Sequence, residues 1–315
     1  MSDTKFIMGM RDVFFNALYE IFTRDEKTVF ITADNGAPTL DRFGDNFPDR
    51  YFTVGIAEQQ MIGMACGMAV EGRKVYTYAI APFITLRCFE QNKIDMCAMN
   101  LPIVSIGVGR GYAYDIMGPT HHTTEDISVM RALPNLKIHN PADHVTTEGL
   151  VAMIHDDPSP QYIRFDRAGI DNIYAPGTID PTLGVIEARR GRDLCFIATG
   201  IMVHQALKVA QDLEARGIQA GVIDICRLKP VNQELLLRYL EPYPRAVTLE
   251  EHQLAGGLGS IVAEIFLDRG VVTPTLRIGQ QDKFVFDNGG RQAIWEKHGL
   301  DRESVGARVA EFAQA

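Results

Sequence analysis

The sequence predicts an α/β chain folded as two doubly wound domains. Three observations carry that prediction. Short apolar runs of strand length alternate with stretches of helical periodicity, the pattern of mainly parallel sheets covered by helices on both faces. The alternation breaks down once, between about Asp166 and Gly191, where Pro176, Pro181 and several glycines stand without sustained periodicity. The length of 315 residues also corresponds to about two domains of ~150 residues each. The expected division is a first domain over 1–170, a linker over 171–191 and a second domain over 192–315.

Taken in order, residues 6–22 show helical spacing of Val13, Phe14, Ala17, Leu18 and Ile21. Residues 28–32 make an apolar strand, and residues 33–39 a loop rich in turn formers at its C-terminal end. Ligands of parallel α/β sheets bind at such ends, so this loop is either a plain turn or part of a site. A β-rich run ends at Gly55, and a helix of small and apolar residues follows over about 57–70. Met61, Ile62, Met64, Ala65 and Met68 predict that this helix is buried all round. Glu58 lies in its first turn. It either complements the helix dipole or is a buried carboxyl with a raised pKa. Gly63, Ala65, Gly67 and Ala69 recur at intervals of four, which fits close packing within the domain or a helix contact between chains. Residues 74–78 form the next strand, and Pro82 opens a long helical stretch to about Met99.

Residues 103–108 are a strand followed by a loop over 109–122 that is too long for a simple connection. A helix from about Thr124, a strand over 136–139, a helix from about Asp143 and a strand over 162–164 complete the first half. In the second half, strands over 194–198, 220–224 and 246–249 alternate with helices over 203–215, from about Gln233, and after Ser260.

Composition excludes several classes. The formal net charge of −9 leaves no basic footprint for nucleic acid. No apolar run reaches the ~18 residues of a membrane span, and the N-terminus leads into an amphipathic pattern without a signal-peptide core. Cys66, Cys88, Cys97, Cys195 and Cys226 are scattered without a C-x-x-C pair, which reads as reduced, buried thiols in a cytoplasmic protein. Gly256-Gly257-Leu258-Gly259 lacks the G-x-G-x-x-G spacing and reads as close helix–strand packing. Adjacent His121 and His122 point apart on any regular backbone, and no third ligand has metal spacing, so no metal ligand is assigned to this chain. Arg164 and Arg167 flank Asp166 at a strand end, either in a salt bridge or as anchors for an anionic substrate group. No P-loop and no G-x-S-x-G are present.

Four stretches stand in an order that resembles transketolases and 1-deoxyxylulose-5-phosphate synthases. They are Gly55-Ile56-Ala57-Glu58-Gln59-Gln60, Phe83-Ile84-Thr85-Leu86-Arg87, Gly118-Pro119-Thr120-His121-His122, and the run from Leu249-Glu250-Glu251-His252-Gln253 to Gly256-Gly257-Leu258-Gly259. The resemblance spans nearly the whole chain and implies a pyrimidine-binding thiamine-diphosphate fold followed by a transketolase C-terminal-like domain. It implies thiamine diphosphate as cofactor, with Glu58 as the carboxylic acid that engages the aminopyrimidine ring nitrogen. Phe83 resembles the aromatic that stacks on that ring, a role Tyr78 or Phe89 could share. Asp34 resembles the aspartate near the pyrimidine and thiazolium, and His121 the histidine that meets substrate hydroxyls or phosphate. Arg11, Arg87 and Arg164 resemble arginines lining the substrate channel, with Arg87 also assigned to the cofactor site.

Two departures from the family pattern matter. Met117 stands where the family has an aspartate that recognises a sugar hydroxyl. A thioether cannot replace that acceptor, which implies an altered donor or acceptor sugar. The family's diphosphate and Mg²⁺ motif, G-D-G with an asparagine about thirty residues on, is absent. The resemblance therefore implies the C-terminal subunit of a split transketolase-type transferase (EC 2.2.1.-) of carbohydrate metabolism. Thiamine diphosphate would lie between chains. The Mg²⁺ ligands would come from a separate N-terminal subunit, and two copies of each chain would form a heterotetramer. The expected reaction moves a two-carbon ketol unit from a phosphorylated or otherwise anionic ketose to an aldehyde. The alternatives are an activity like deoxyxylulose-phosphate synthase or the β subunit of 2-oxoacid dehydrogenases, or a non-catalytic assembly subunit.

Overall fold

The computed structural model describes residues 8–314, so the predicted onset of the first helix at Phe6 lies outside the described residues. The first domain runs α1 (Met10–Phe22), β1 (Thr28–Thr32), α2 (Pro38–Asn46), β2 (Tyr51–Thr53), α3 (Glu58–Val70), β3 (Lys74–Ile80), α4 (Ala81–Ile84), α5 (Phe89–Gln91), β4 (Ile103–Val108), α6 (Asp126–Arg131), β5 (Lys137–His139), α7 (His144–Asp156) and β6 (Gln161–Phe165). The second runs β7 (Val185–Arg189), β8 (Leu194–Ala198), α8 (Ile201–Glu214), β9 (Ala220–Ile225), β10 (Arg227–Lys229), α9 (Gln233–Leu240), β11 (Ala246–Gln253), α10 (Leu258–Asp268), β12 (Thr275–Gln280), α11 (Arg291–His298) and α12 (Arg302–Gln314).

The first sheet has the order β10-β5-β6-β4-β3-β1-β2, parallel except for β10. The second is β12-β11-β8-β9-β7, parallel except for β7. Strands alternate their side chains between two faces, and both faces are covered. Phe30, Tyr76 and Tyr78 pack against Phe14, Phe15 and Phe22 of α1. Val29, Ile31 and Val75 pack against Met61, Ile62 and Ala65 of α3.

Several sequence expectations are corrected. Strand β7 lies inside the segment 171–191 read as linker and pairs antiparallel with β9. Strand β10 leaves the second domain to close the edge of the first sheet, so the two halves share a sheet. The stretch from Pro82 to Met99 is not one helix. Helix α4 stops at Ile84, α5 is a single turn, and residues Asn92–Ala98 are π-helical. The Thr85 hydroxyl donates to the Ala81 carbonyl at 2.6 Å, and the Asn92 amide donates to the Ile84 carbonyl at 2.9 Å. Such side-chain bonds compete with the helical ladder. Helix α3 is buried on one face only. Gln59, Gln60, Gly63, Gly67 and Val70 are exposed, and a Cβ placed on Gly63 or Gly67 would meet nothing within 4 Å. Ala65 and Ala69 pack inside the domain.

Between the domains lies a buried ionic network. Arg110 and Arg291 both face Asp166, at 3.5 and 2.6 Å. Arg291 Nε and Trp295 Nε1 donate to Glu251 at 2.8 and 2.6 Å. Beside this network, within the first domain, Arg164 pairs with Asp126 at 2.8 Å, and the Tyr162 hydroxyl donates to the same carboxylate at 2.7 Å. All three carboxylates are buried, so each is matched by cations or donors of its own chain.

Candidate functional site

Neighbouring strands β3, β1 and β2 deliver the site from their C-terminal ends, the edge at which open parallel sheets place ligands. The turn after β1 brings Ala33, Asp34 and Asn35. The end of β3 and the first turn of α4 bring Ala79, Ile80 and Phe83. After β2 the chain turns at Gly55, whose φ of +72° suits glycine, and carries Ile56 and Glu58 to the mouth of α3. Together they line a cleft of about 190 Å³.

Glu58 opens α3 and is only 4% exposed. Its surroundings are not the wholly apolar ones the sequence predicts. Arg87 Nη1 donates to Glu58 Oε2 at 2.6 Å. The same guanidinium lies 4.0 Å from the centre of the Phe83 ring, a cation–π contact. The chain break after Ile84 is what turns Arg87 back over Phe83. Its carbonyl is fixed by the Gln59 amide, which donates at 3.0 Å.

His121 arrives from the long loop after β4. Its ring meets Phe83 edge-on at 5.1 Å and Tyr114 at 5.8 Å, and its Nδ1 pairs with the Thr120 hydroxyl at 2.9 Å. Desolvation, and secondarily the Arg87 charge, lower its pKa below the ordinary histidine range, which favours the neutral ring. Met117 caps the 3₁₀ turn that carries this histidine and is half exposed.

The structure thus brings Glu58, Asp34, Phe83, Arg87 and His121 together. Of the three aromatics weighed for stacking, Phe83 lines the cleft. Tyr78 lies buried behind it, accepting hydrogen bonds from Arg11 at 2.7 Å and Asn35 at 3.0 Å. Phe89 packs instead beside the core of α3. Arg11 therefore stands one residue behind the cleft wall. Arg164 is not brought to the cleft: it is buried against Asp126 of its own domain. Asn35 was missed by sequence reasoning. The one signal for it is its place beside Asp34 at a parallel strand's C-terminal end.

The glycine run after β11 has an internal occupant. Glu250 receives the backbone N–H groups of Leu258, at 2.6 Å, and Gly259, at 2.8 Å, at the start of α10. Burial pushes this carboxyl up to about 8, while the two backbone donors pull the other way. A Cβ on Gly257 would overlap the Glu250 carboxylate, so the glycine admits the chain's own acid. Among the described residues, no three of His, Cys, Asp and Glu are grouped to hold a metal ion, and no helix is long and apolar enough to cross a membrane.

Comparison with known proteins follows the same division. The family model described as transketolase, pyrimidine binding domain, matches residues 7–171. The model described as transketolase, C-terminal domain, matches residues 184–305. A subunit of the apulose-4-phosphate transketolase of Phocaeicola vulgatus is 34% identical over 310 residues, covering 98% of each chain. A 1-deoxy-D-xylulose-5-phosphate synthase of Caldanaerobacter subterraneus is 35% identical over 297 residues, covering 93% of this chain and 47% of that protein. Among solved structures, one described as a split gene transketolase, inactive beta4 tetramer, superposes with a TM-score of 0.87 at 33% identity, covering 96% of this chain and 98% of that one.

Proposed function

The chain belongs to the transketolase family, and from that premise we propose that it is the C-terminal subunit of a split, thiamine-diphosphate-dependent transketolase. In this reading it transfers a two-carbon ketol unit from a phosphorylated or otherwise anionic ketose to an aldehyde. The observation that carries the proposal is the cleft: a nearly enclosed carboxylate beside an aromatic ring, on a chain that aligns over 98% of its length with one subunit of a transketolase.

The residues present fit the aminopyrimidine half of the cofactor. Phe83 offers a ring face, Glu58 an acid or carboxylate at the edge of that face, and Asp34 a further carboxylate on the exposed rim. When bound, thiamine diphosphate supplies the nucleophilic carbon for ketol transfer. Glu58 holds a proton at the pyrimidine ring nitrogen, which requires a carboxyl shielded from water. Phe83 fixes the plane of the ring. His121, kept neutral by its setting, offers one donor and one acceptor to substrate hydroxyls or phosphate. Arg11 braces Tyr78, which in turn accepts from Asn35 in the wall. The diphosphate and Mg²⁺ are assigned to an N-terminal partner subunit, because the sequence lacks the G-D-G motif. The open Gly63–Gly67 face, on the helix that carries Glu58, leaves room for another chain to approach.

The test is reconstitution with the partner that carries the missing motif, using a panel of sugar phosphates and pyruvate. Ketol transfer is expected only from the pair. Glu58→Gln in the pair is expected to lower kcat by at least about a hundredfold. Full turnover by this chain alone would refute the split. An unchanged kcat in Glu58→Gln would leave Glu58 without its role. Pyruvate decarboxylation in place of ketol transfer would assign the synthase-like activity.

A further inference from the structure

We propose that Arg87 is a placeholder in the cleft, its guanidinium holding the Phe83 face and the Glu58 carboxylate until a flat, nitrogen-bearing ring displaces it. The inference rests on reading the cleft as an aminopyrimidine site.

Guanidinium is planar, delocalised and rich in N–H donors. Here it covers the Phe83 ring at 4.0 Å and donates to Glu58 at 2.6 Å. An aminopyrimidine is likewise planar and presents a ring nitrogen to the same carboxyl group, with a proton between the two acceptors, while it stacks on the same ring. A ring seated on the face that Arg87 covers, and bonded to the carboxyl that it engages, competes with it for both surfaces. The backbone of Arg87 is fixed, with its N–H donating to the Pro82 carbonyl at 3.3 Å and its carbonyl accepting from Gln59 at 3.0 Å. Displacement therefore involves the side chain alone. That side chain is 40% exposed, so it leaves toward water without crossing a packed interior. The buried Arg164 and Arg110 lack this freedom, with side chains only 3% and 2% exposed. Arg87 also keeps an otherwise buried carboxylate matched while the ring is away, and leaving such a carboxylate unpaired is unfavourable.

A closed form that must open before binding lowers apparent affinity by the fraction that is open. Loss of an ion pair and a cation–π contact, both partly exposed, corresponds to about a tenfold change. The experiment titrates the full-length chain with 4-amino-5-hydroxymethyl-2-methylpyrimidine, following binding by NMR and calorimetry, so it needs no turnover. Arg87→Met is expected to bind about tenfold more tightly than the wild type, with Arg87→Lys in between, because lysine pairs with Glu58 but cannot lie flat on Phe83. Raising salt from about 0.05 to about 0.5 M is expected to narrow the gap by screening the pair. Equal or weaker binding by Arg87→Met overturns the placeholder. Glu58→Gln separates the two readings. If it loses affinity while Arg87→Met gains none, only the placeholder fails. If Glu58→Gln binds like the wild type, or no variant binds the ring, the cleft is not the aminopyrimidine site and both fall.

Discussion

Replacing Arg164 by methionine tests whether this arginine serves the fold or the substrate. Its guanidinium lies 2.8 Å from Asp126 Oδ2 and donates to the Thr123 carbonyl at 3.1 Å, with Arg164 2% and Asp126 0% exposed. Methionine keeps the volume but leaves Asp126 with one strong donor, the Tyr162 hydroxyl at 2.7 Å, and a distant His252 Nε2 at 3.8 Å. Breaking a buried pair from one side costs about 3–5 kcal/mol, whereas the Thr123 carbonyl keeps the Gly111 N–H at 3.0 Å. A loss of about 4 kcal/mol is a large share of the ~5–15 kcal/mol that keeps a domain folded. The assay is urea unfolding at constant m-value, with KM for sugar phosphates measured on the reconstituted pair. Arg164→Met combined with Asp126→Asn should recover most of the loss, because the buried charge has gone with its partner. The reasoning is refuted if Arg164→Met unfolds within about 1 kcal/mol of the wild type while KM climbs steeply. That result would return Arg164 to the substrate channel that the family resemblance implies.

Two further perturbations probe the frame around the site. Gly111 has φ +57°, and a Cβ there would overlap the Glu251 carboxylate held by Arg291 and Trp295. Gly111→Ala should destabilise by about 2–4 kcal/mol in urea. It should also displace the loop bearing His121, visible as a lower kcat/KM. Asp224 accepts from the Tyr174 hydroxyl at 3.0 Å, and burial pushes its carboxyl up to about 8. The folded chain thus keeps a proton that the unfolded chain has released above the ordinary carboxylate range. This contribution is complete below that range and is lost as pH rises through about 8. His139 and His252, lowered to about 4 by burial, act in the opposite sense only below about 6.5. Between pH ~6.5 and ~8, Asp224→Asn should therefore flatten the fall in stability by up to about 1.4 kcal/mol per pH unit. An unchanged slope would show that Asp224 is ionised in the fold.

The strands of the first sheet were legible because parallel strands buried on both faces read as unbroken apolar runs. β1, β3 and β4 are of this kind. Strand β7 escaped because it is a half-buried edge strand just beyond Pro181, so neither of its faces gives a clean period. Helix α2 was masked by turn-forming residues, although Pro38 at its start is a helix signal. In the site, Glu58 stood out as an acid in the first turn of an apolar helix, whereas Asp34 and Phe83 were singled out only by the family resemblance. The pairing of Arg87 with Glu58 was not legible, since it depends on the chain breaking after Ile84. The role of Arg164 depends on Asp126 and Thr123, about forty residues earlier in the same domain, a distance that its own local spacing does not report.

The buried acids also indicate where the chain is built to receive something else. Asp126 is matched by Arg164, and Asp166 by Arg110 and Arg291, whose side chains are 3%, 2% and 18% exposed. Glu250 is matched by backbone N–H groups. Arg164 and Arg110 are locked into the interior, while Glu250, pushed up to about 8 by burial, keeps its proton at neutral pH. Glu58 is equally enclosed, but its partner Arg87 is 40% exposed. A carboxylate built only for stability gains nothing from such a replaceable partner, since a surface cation contributes little. The arrangement makes sense if the exposed side of the pair is where another component seats. It also predicts that Arg87→Met, although it leaves Glu58 unpaired, costs less stability than Arg164→Met. Equal costs for the two arginines would mean that Glu58 belongs with the structural carboxylates, and that the cleft was never made to open.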